Sequence, residues 1–152
     1  LSANQLAAVV DTALGNDLDH ARLASEQAES SDVQEYAQQV MQNYTEAQRR
    51  HRELIQQNDI SPEEGELTRR MDRDAQQAKQ RLQGESGTAF DRGYIEAQIE
   101  DNQKLTRILE ANLGNVDQSS YQQFLQQRHD TRREMMQQAQ QIQQRLERRA
   151  AR

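Results

Sequence analysis

Apolar residues return along this chain at intervals of three and four, and polar residues fill most of the positions between them. That period puts the apolar positions on one helix face. It predicts amphipathic helices rather than strands, whose faces alternate at every second residue. Five stretches follow. The first, over about residues 2–29, carries Leu6, Val9, Val10, Ala13, Asp17, His20, Ala24 and Ala28 on one stripe. Gly15-Asn16 is a candidate kink in it, because glycine weakens a helix interior. The second, 31–58, carries Val33, Tyr36, Ala37, Val40, Tyr44, Ala47, His51 and Leu54. Ser31 with Gln34 reads as a capping box at its start, side chains satisfying the first free backbone N–H groups. Ser61-Pro62-Glu63-Glu64 reads as the start of a third helix, 62–83, with Pro62 at the first helical position and Glu64 closing the box. Its apolar edge is narrow: Leu67, Met71, Ala75, Ala78 and Leu82, ended by Gly84 and Gly87.

The fourth helix, 88–113, opens at Thr88 with Asp91 three residues on. It carries Phe90, Tyr94, Ile95, Gln98, Asn102, Leu105, Ile108, Leu109 and Leu113. Gly114 stands where a left-handed C-terminal glycine belongs. The fifth, 118–150, carries Tyr121, Phe124, Leu125, Met135, Met136, Ala139, Ile142 and Leu146, and closes on Arg145, Arg148, Arg149 and Arg152 near the negative end of its dipole. Long helices with short connections make an antiparallel bundle, in which the pairs 1/2 and 4/5 are the long arms and the third helix connects them.

Composition sharpens this picture. Only 34% of the 152 residues are hydrophobic, and one proline and six glycines leave little room for a loop-rich fold. A thin apolar stripe on long helices fits so small an apolar fraction. The 26 glutamines are good helix formers and read as solvated faces. One domain over residues 1–152 is the expectation at this length. A net charge of −6 disfavours nucleic acid as a partner. The absence of cysteine excludes disulfides, thiolate catalysis and cysteine-ligated metals. No apolar run reaches the length of about 18 residues that a membrane-spanning helix needs. The chain begins at Leu1 rather than Met, which fits a processed exported protein or a trimmed one.

A set of residues in order carries a family resemblance. Leu23-Ala24 is followed by Val33-xx-Tyr36-Ala37-xx-Val40-Met41, then Ile60-Ser61-Pro62, then Phe90-Asp91-xx-Tyr94-Ile95, then Leu105 and Ala139. In this the chain resembles, over nearly its whole length, the secreted bacterial family called domain of unknown function 4142. The resemblance implies export, a periplasmic or outer-membrane setting and a ferritin-like four-helix bundle with an additional connecting helix. It implies no established activity. The family places an acid near Asp17 and histidines near Tyr44, Asn102 and Met135; here only the acid is kept.

Candidate chemistry follows from the stripes. Ferritin-like di-iron proteins use a Glu on each of two helices and a Glu-x-x-His pair on each of the other two. This chain has one comparable pair, Asp17-x-x-His20, too few for two metals. A single metal ion held by Asp17, His20 and His51 is the sharper reading. Hydrated or ion-paired side chains at the stripe edge are the plainer one, and no cofactor is predicted. Tyr44, Gln98, Asn102 and Met135 fall on core stripes. They read as a polar core layer fixing helix register, or else as a remodelled polar pocket. Met135-Met136 suits gap-filling better than copper, because adjacent residues point apart on a helix. His129 has Asp130 beside it but no nucleophile in view, and no catalytic residue stands out. From Arg128 onward seven arginines face three acids, a basic end able to meet anionic surfaces. The sequence therefore reads as an exported bundle acting by interaction with an envelope or protein partner, or with a second copy of itself, rather than by catalysis, with a role in envelope stress suggested by the family alone. Metal binding, and docking through the arginine-rich end, are the alternatives.

Overall fold

The structure is a computed structural model and describes residues 1–151. Its elements are α1 (Ala3–Gln27), α2 (Ser31–Gln57), α3 (Glu66–Gln83), α4 (Gly87–Asn112), a short 3-10 turn (Leu113–Asn115) and α5 (Ser119–Ala150). No strand occurs among the described residues, so the chain is an all-α bundle. Cross-chain bonds fix the direction of each helix. The Leu1 amino group donates to Asn112, setting the start of α1 beside the end of α4. Asn58 bonds Ser120, and Arg149 reaches Asp32, so α5 runs opposite to α2. Asn16 and Lys79 of α1 and α3 bond Asp72 and Asp19, and His20 bonds the Ala75 carbonyl, so α3 runs alongside α1 in the same direction.

The stripe of α2 is buried at each position the period picks: Val33, Tyr36, Ala37, Val40, Tyr44, Ala47, His51 and Leu54. Those of α1, α4 and α5 join it in one core, where Tyr36 meets Tyr94 edge to face at 6.1 Å. Helix α3 buries only Thr68 and Leu82 fully. Its half-buried Leu67 and Met71 rest on a smaller cluster of Val9, Ala13 and Leu105.

Several helix ends differ from the sequence expectation. Residues 61–65 are not helical, and α3 starts at Glu66. The reason is a strap: Ser61 and Glu63 donate their N–H groups to the side chain and backbone carbonyl of Asn4, holding the segment extended along the start of α1. The first turn of α3 is instead closed by Thr68, whose hydroxyl both accepts from the Gly65 N–H and donates to the Gly65 carbonyl. The box expected at Ser31 is absent; Ser30 is the cap residue, and the Gln34 amide donates to the Ala28 carbonyl. Asp91 does not cap its own helix either. Its carboxylate, 2% exposed, accepts from the N–H groups of Glu29 and Ser30 at 3.0 and 2.9 Å, so the α1–α2 turn is capped from α4.

The end of α2 is a Schellman motif: Ile60 N–H reaches the Ile55 carbonyl, with Asp59 in the left-handed region at φ 54°. Gly114 lies inside the 3-10 turn without a positive φ; the left-handed glycine is Gly87, which opens α4. Helix α1 continues through Gly15 without a break in its assignment, and Gly15 faces solvent.

Candidate functional site

At one level the bundle contributes a polar side chain from each of four helices: Asp17 from α1, Tyr44 from α2, Asn102 from α4 and Arg132 from α5. Arg132 Nη1 donates to Asp17 Oδ2 at 2.7 Å and to Asn102 Oδ1 at 3.1 Å. The guanidinium carbons of Arg128 and Arg132 lie 5.1 and 5.0 Å from the Tyr44 ring centroid. Arg132 is 3% exposed. Burial disfavours its charge, but the surrounding groups, with the Asp17 carboxylate in direct contact, outweigh burial and hold the guanidinium protonated. Arg128 has no such anion. Burial, then the charge of Arg132, pulls its pKa down to about 10. Burial raises the phenols of Tyr36, Tyr44 and Tyr94 above their ordinary value, so they remain neutral hydroxyls. Those three hydroxyls, Gln98 Nε2, Asn102 Nδ2 and Arg128 Nε and Nη2 have no protein hydrogen-bond partner.

Tyr44, Gln98, Asn102 and Met135 are all buried. From α5, however, the side chain that bonds Asn102 is Arg132, one turn before Met135, which packs in the apolar core. The sequence reading passed over Arg128 and Arg132 because arginine is rarely buried unless paired. A signal was present. Tyr121, Leu125, Arg128, Arg132, Met135, Ala139, Ile142 and Leu146 are spaced alternately by four and three, so the arginines fill a gap in the apolar stripe.

The three candidate metal ligands have separate partners. Asp17 is held by Arg132. His20, 2% exposed, donates Nε2–H to the Ala75 carbonyl at 2.9 Å, which leaves Nδ1 as an acceptor without a partner. His51 donates from Nδ1 to Asp11 and accepts at Nε2 from the Tyr121 hydroxyl, both at 2.7 Å, and its ring stacks on Phe124. Among the described residues no three His, Cys, Asp or Glu side chains gather as a ligand set. His129 is bracketed by Glu110 and Asp130 at 2.7 and 3.0 Å. Burial opposes its charge, and these two hydrogen bonds overcome burial and raise its pKa. At the basic end, Arg145 and Arg149 share Asp32 at 3.7 and 3.5 Å; Arg152 lies outside the described residues.

A cleft of about 530 Å³ opens beside the polar layer, between α1, α3 and α4. Ala13, Leu67, Met71, Ala78, Leu105 and Ile108 supply apolar wall, and Arg70, Arg81, Lys104 and Arg107 are among the charged residues around it. Asp17, His20 and Asp101 line it as well. The Asp101 carboxyl is pushed up to about 7, first by burial and then by the charge of Asp17, against a smaller opposing effect of Arg132 and Lys104. This residue also escaped the sequence reading, because nothing in the local pattern separates it from the solvated Glu100.

The fold and site define a helical-bundle protein with a buried ion pair in a polar core layer and an open cleft under its connecting helix. Its family is fixed by sequence: the profile described as "Domain of unknown function (DUF4142)" matches residues 2–142, and the chain belongs to that family. No curated protein and no solved structure matches the chain.

Proposed function

We propose that this chain is an exported, non-catalytic binding protein that holds a small ligand or partner side chain in the cleft between α1, α3 and α4. The observation that carries the reading is the cleft: about 530 Å³, with an apolar wall from Leu67, Met71, Leu105 and Ile108 and eleven polar or charged residues among the nineteen that line it. Binding pockets for small molecules have this size, about 300–1,000 Å³. Of the central charges, by contrast, Asp17 and Arg132 are engaged with one another. In this reading the bundle keeps a ferritin-like frame with a guanidinium at its centre in place of a metal ion. Export rests on the family resemblance, and fractionation of cells carrying the full-length natural protein tests it.

Binding is tested by amide chemical-shift mapping with a library of small fragments. Shifts confined to cleft residues, and abolished by Ala78→Trp, are expected. A library that leaves the cleft resonances unmoved removes the reading. Elemental mass spectrometry of the natively purified protein, beside an Asp17→Ala/His20→Ala variant, covers the competing metal reading. Near-stoichiometric metal that vanishes in the variant would replace the binding proposal.

A further inference from the structure

We infer that the cleft takes a fatty-acid anion, its carboxylate met at the mouth by Arg70, Lys104 and Arg107 and its single acyl chain laid on the wall of Leu67, Met71, Leu105 and Ile108. The inference rests on the binding reading above and names its ligand class.

The wall is the first observation. Among the described residues Leu1 is the one large hydrophobic side chain that is fully exposed, so the bundle covers its apolar surface closely. Under α3 the cover is incomplete. Leu67, Met71 and Ile108 stay half-buried, packed on Val9, Ala13 and Leu105 with the cleft open beside them. An acyl chain entering there removes apolar surface from water on both sides.

Charge is the second. Arg70, Arg81, Lys104 and Arg107 line the cleft and are exposed. Among the described residues the one ion pair these four make is Arg70 with Glu66, at 3.8 Å. Register gathers three of them at the apolar end. Helix α3 runs with α1, and α1 runs against α4, so α3 runs against α4. Leu67 and Met71 of α3 meet Leu105 and Ile108 of α4 in one cluster. Arg70 falls between the first two along its helix, and Lys104 and Arg107 adjoin the second two along theirs. The three cations therefore flank the same apolar end from its two sides.

The acids of the lining lie elsewhere. Asp17 is spent on Arg132. Asp74 adjoins Ala75, the partner of His20, and Asp101 adjoins Asn102, the partner of Arg132. With Glu100 they sit about one turn further along, at the level of the polar layer. Charge of one sign over low-dielectric walls concentrates the opposite ion, so an anionic head is drawn to the apolar end and repelled from the polar one. An ammonium head meets the reverse field. A guanidinium grips a carboxylate with two parallel N–H···O bonds, which suits Arg70 and Arg107. One chain is favoured over the two of a phospholipid, because only part of the lining of this 530 Å³ cleft is apolar.

The experiment is isothermal titration calorimetry with amide chemical-shift mapping of the whole protein, using octanoate, octanol and octylammonium at neutral pH. Octanoate is expected to bind at least about tenfold more tightly than either competitor, as a charged hydrogen bond implies, with shifts confined to the cleft. Its affinity should fall as salt rises, because the cations are exposed. Lengthening the chain from hexanoate to octanoate should tighten binding by up to about fourfold per methylene. Arg70→Gln/Lys104→Gln/Arg107→Gln, checked for folding by circular dichroism, should bring octanoate down to the affinity of octanol and leave octanol unchanged. Arg52→Gln, on exposed α2 surface, should change neither. Octanol or octylammonium binding as tightly as octanoate overturns the inference and leaves the binding reading standing. So does an octanoate affinity indifferent to the triple substitution or to chain length. If no probe and no library fragment moves the cleft resonances, both fall together.

Discussion

Asp17 and Arg132 are worth more as a pair than either is alone. Both are buried, and the 2.7 Å contact between them is the main compensation for the lost hydration of each. Removing one partner strands the other. Arg132→Met is expected to cost about 3–5 kcal/mol in urea unfolding. Asp17→Leu/Arg132→Met together should recover much of that, because a buried pair replaced by apolar groups is often close to neutral. A single Arg132→Met variant as stable as the parent would show that Asp17 finds compensation elsewhere. Asp101 works with the opposite sign. Its carboxyl moves from about 3.8 in the unfolded chain to about 7 in the folded one. Between those values the folded state binds more protons, so this group's contribution to stability falls as pH rises from about 4 to about 7. Asp101→Asn should therefore raise the melting temperature at pH 8 and change it little near pH 4. An equal shift at both pH values would refute the assignment.

At the scale of elements, helix ends here are set as much by distant residues as by neighbours. The α1–α2 turn takes its acceptor from Asp91, 61 and 62 positions away along the chain. Asp91→Ala should cost about 1–3 kcal/mol in thermal or urea unfolding, since two turn N–H groups lose their partner. A cost below about 0.5 kcal/mol would mean that water replaces the carboxylate freely. The same logic explains the start of α3. Ser61-Pro62-Glu63-Glu64 has the composition of a helix start, yet Asn4 claims two of its backbone positions and keeps the segment extended. Local capping chemistry was readable in the residues; which partner wins was not.

For the whole molecule, four helices supply most of one core, and α3 enters it through Leu82 near its end. Its ties to α1 are the polar bonds Asn16–Asp72, His20–Ala75 and Asp19–Lys79, over a narrow apolar edge. Elements with few buried apolar contacts open first. Hydrogen exchange is expected to show α3 amides exchanging well ahead of those in the middle of α1, α2, α4 and α5. An α3 as protected as α2 would argue against a helix that can part from the cleft to admit a ligand. Opening of α3 exposes the cleft without disturbing the Asp17–Arg132 layer, which is built wholly from the other four helices.

The sequence by itself determined the helices and, within each, the face that turns inward, because a repeat of three and four is a local property of the chain. The stripe of α2 emerged residue for residue, polar Tyr44 and His51 included. Tertiary structure alone decided which polar side chains on those faces would meet. Asp17 and Arg132 lie 115 positions apart, and their contact depends on the register and rotation of two helices packed through others. Hydropathy assigns an arginine to water, so only the assembled bundle, with a carboxylate and a tyrosine ring facing it, turns Arg132 into a core residue. The cleft is likewise a property of the space between α1, α3 and α4, and no single helix encodes it.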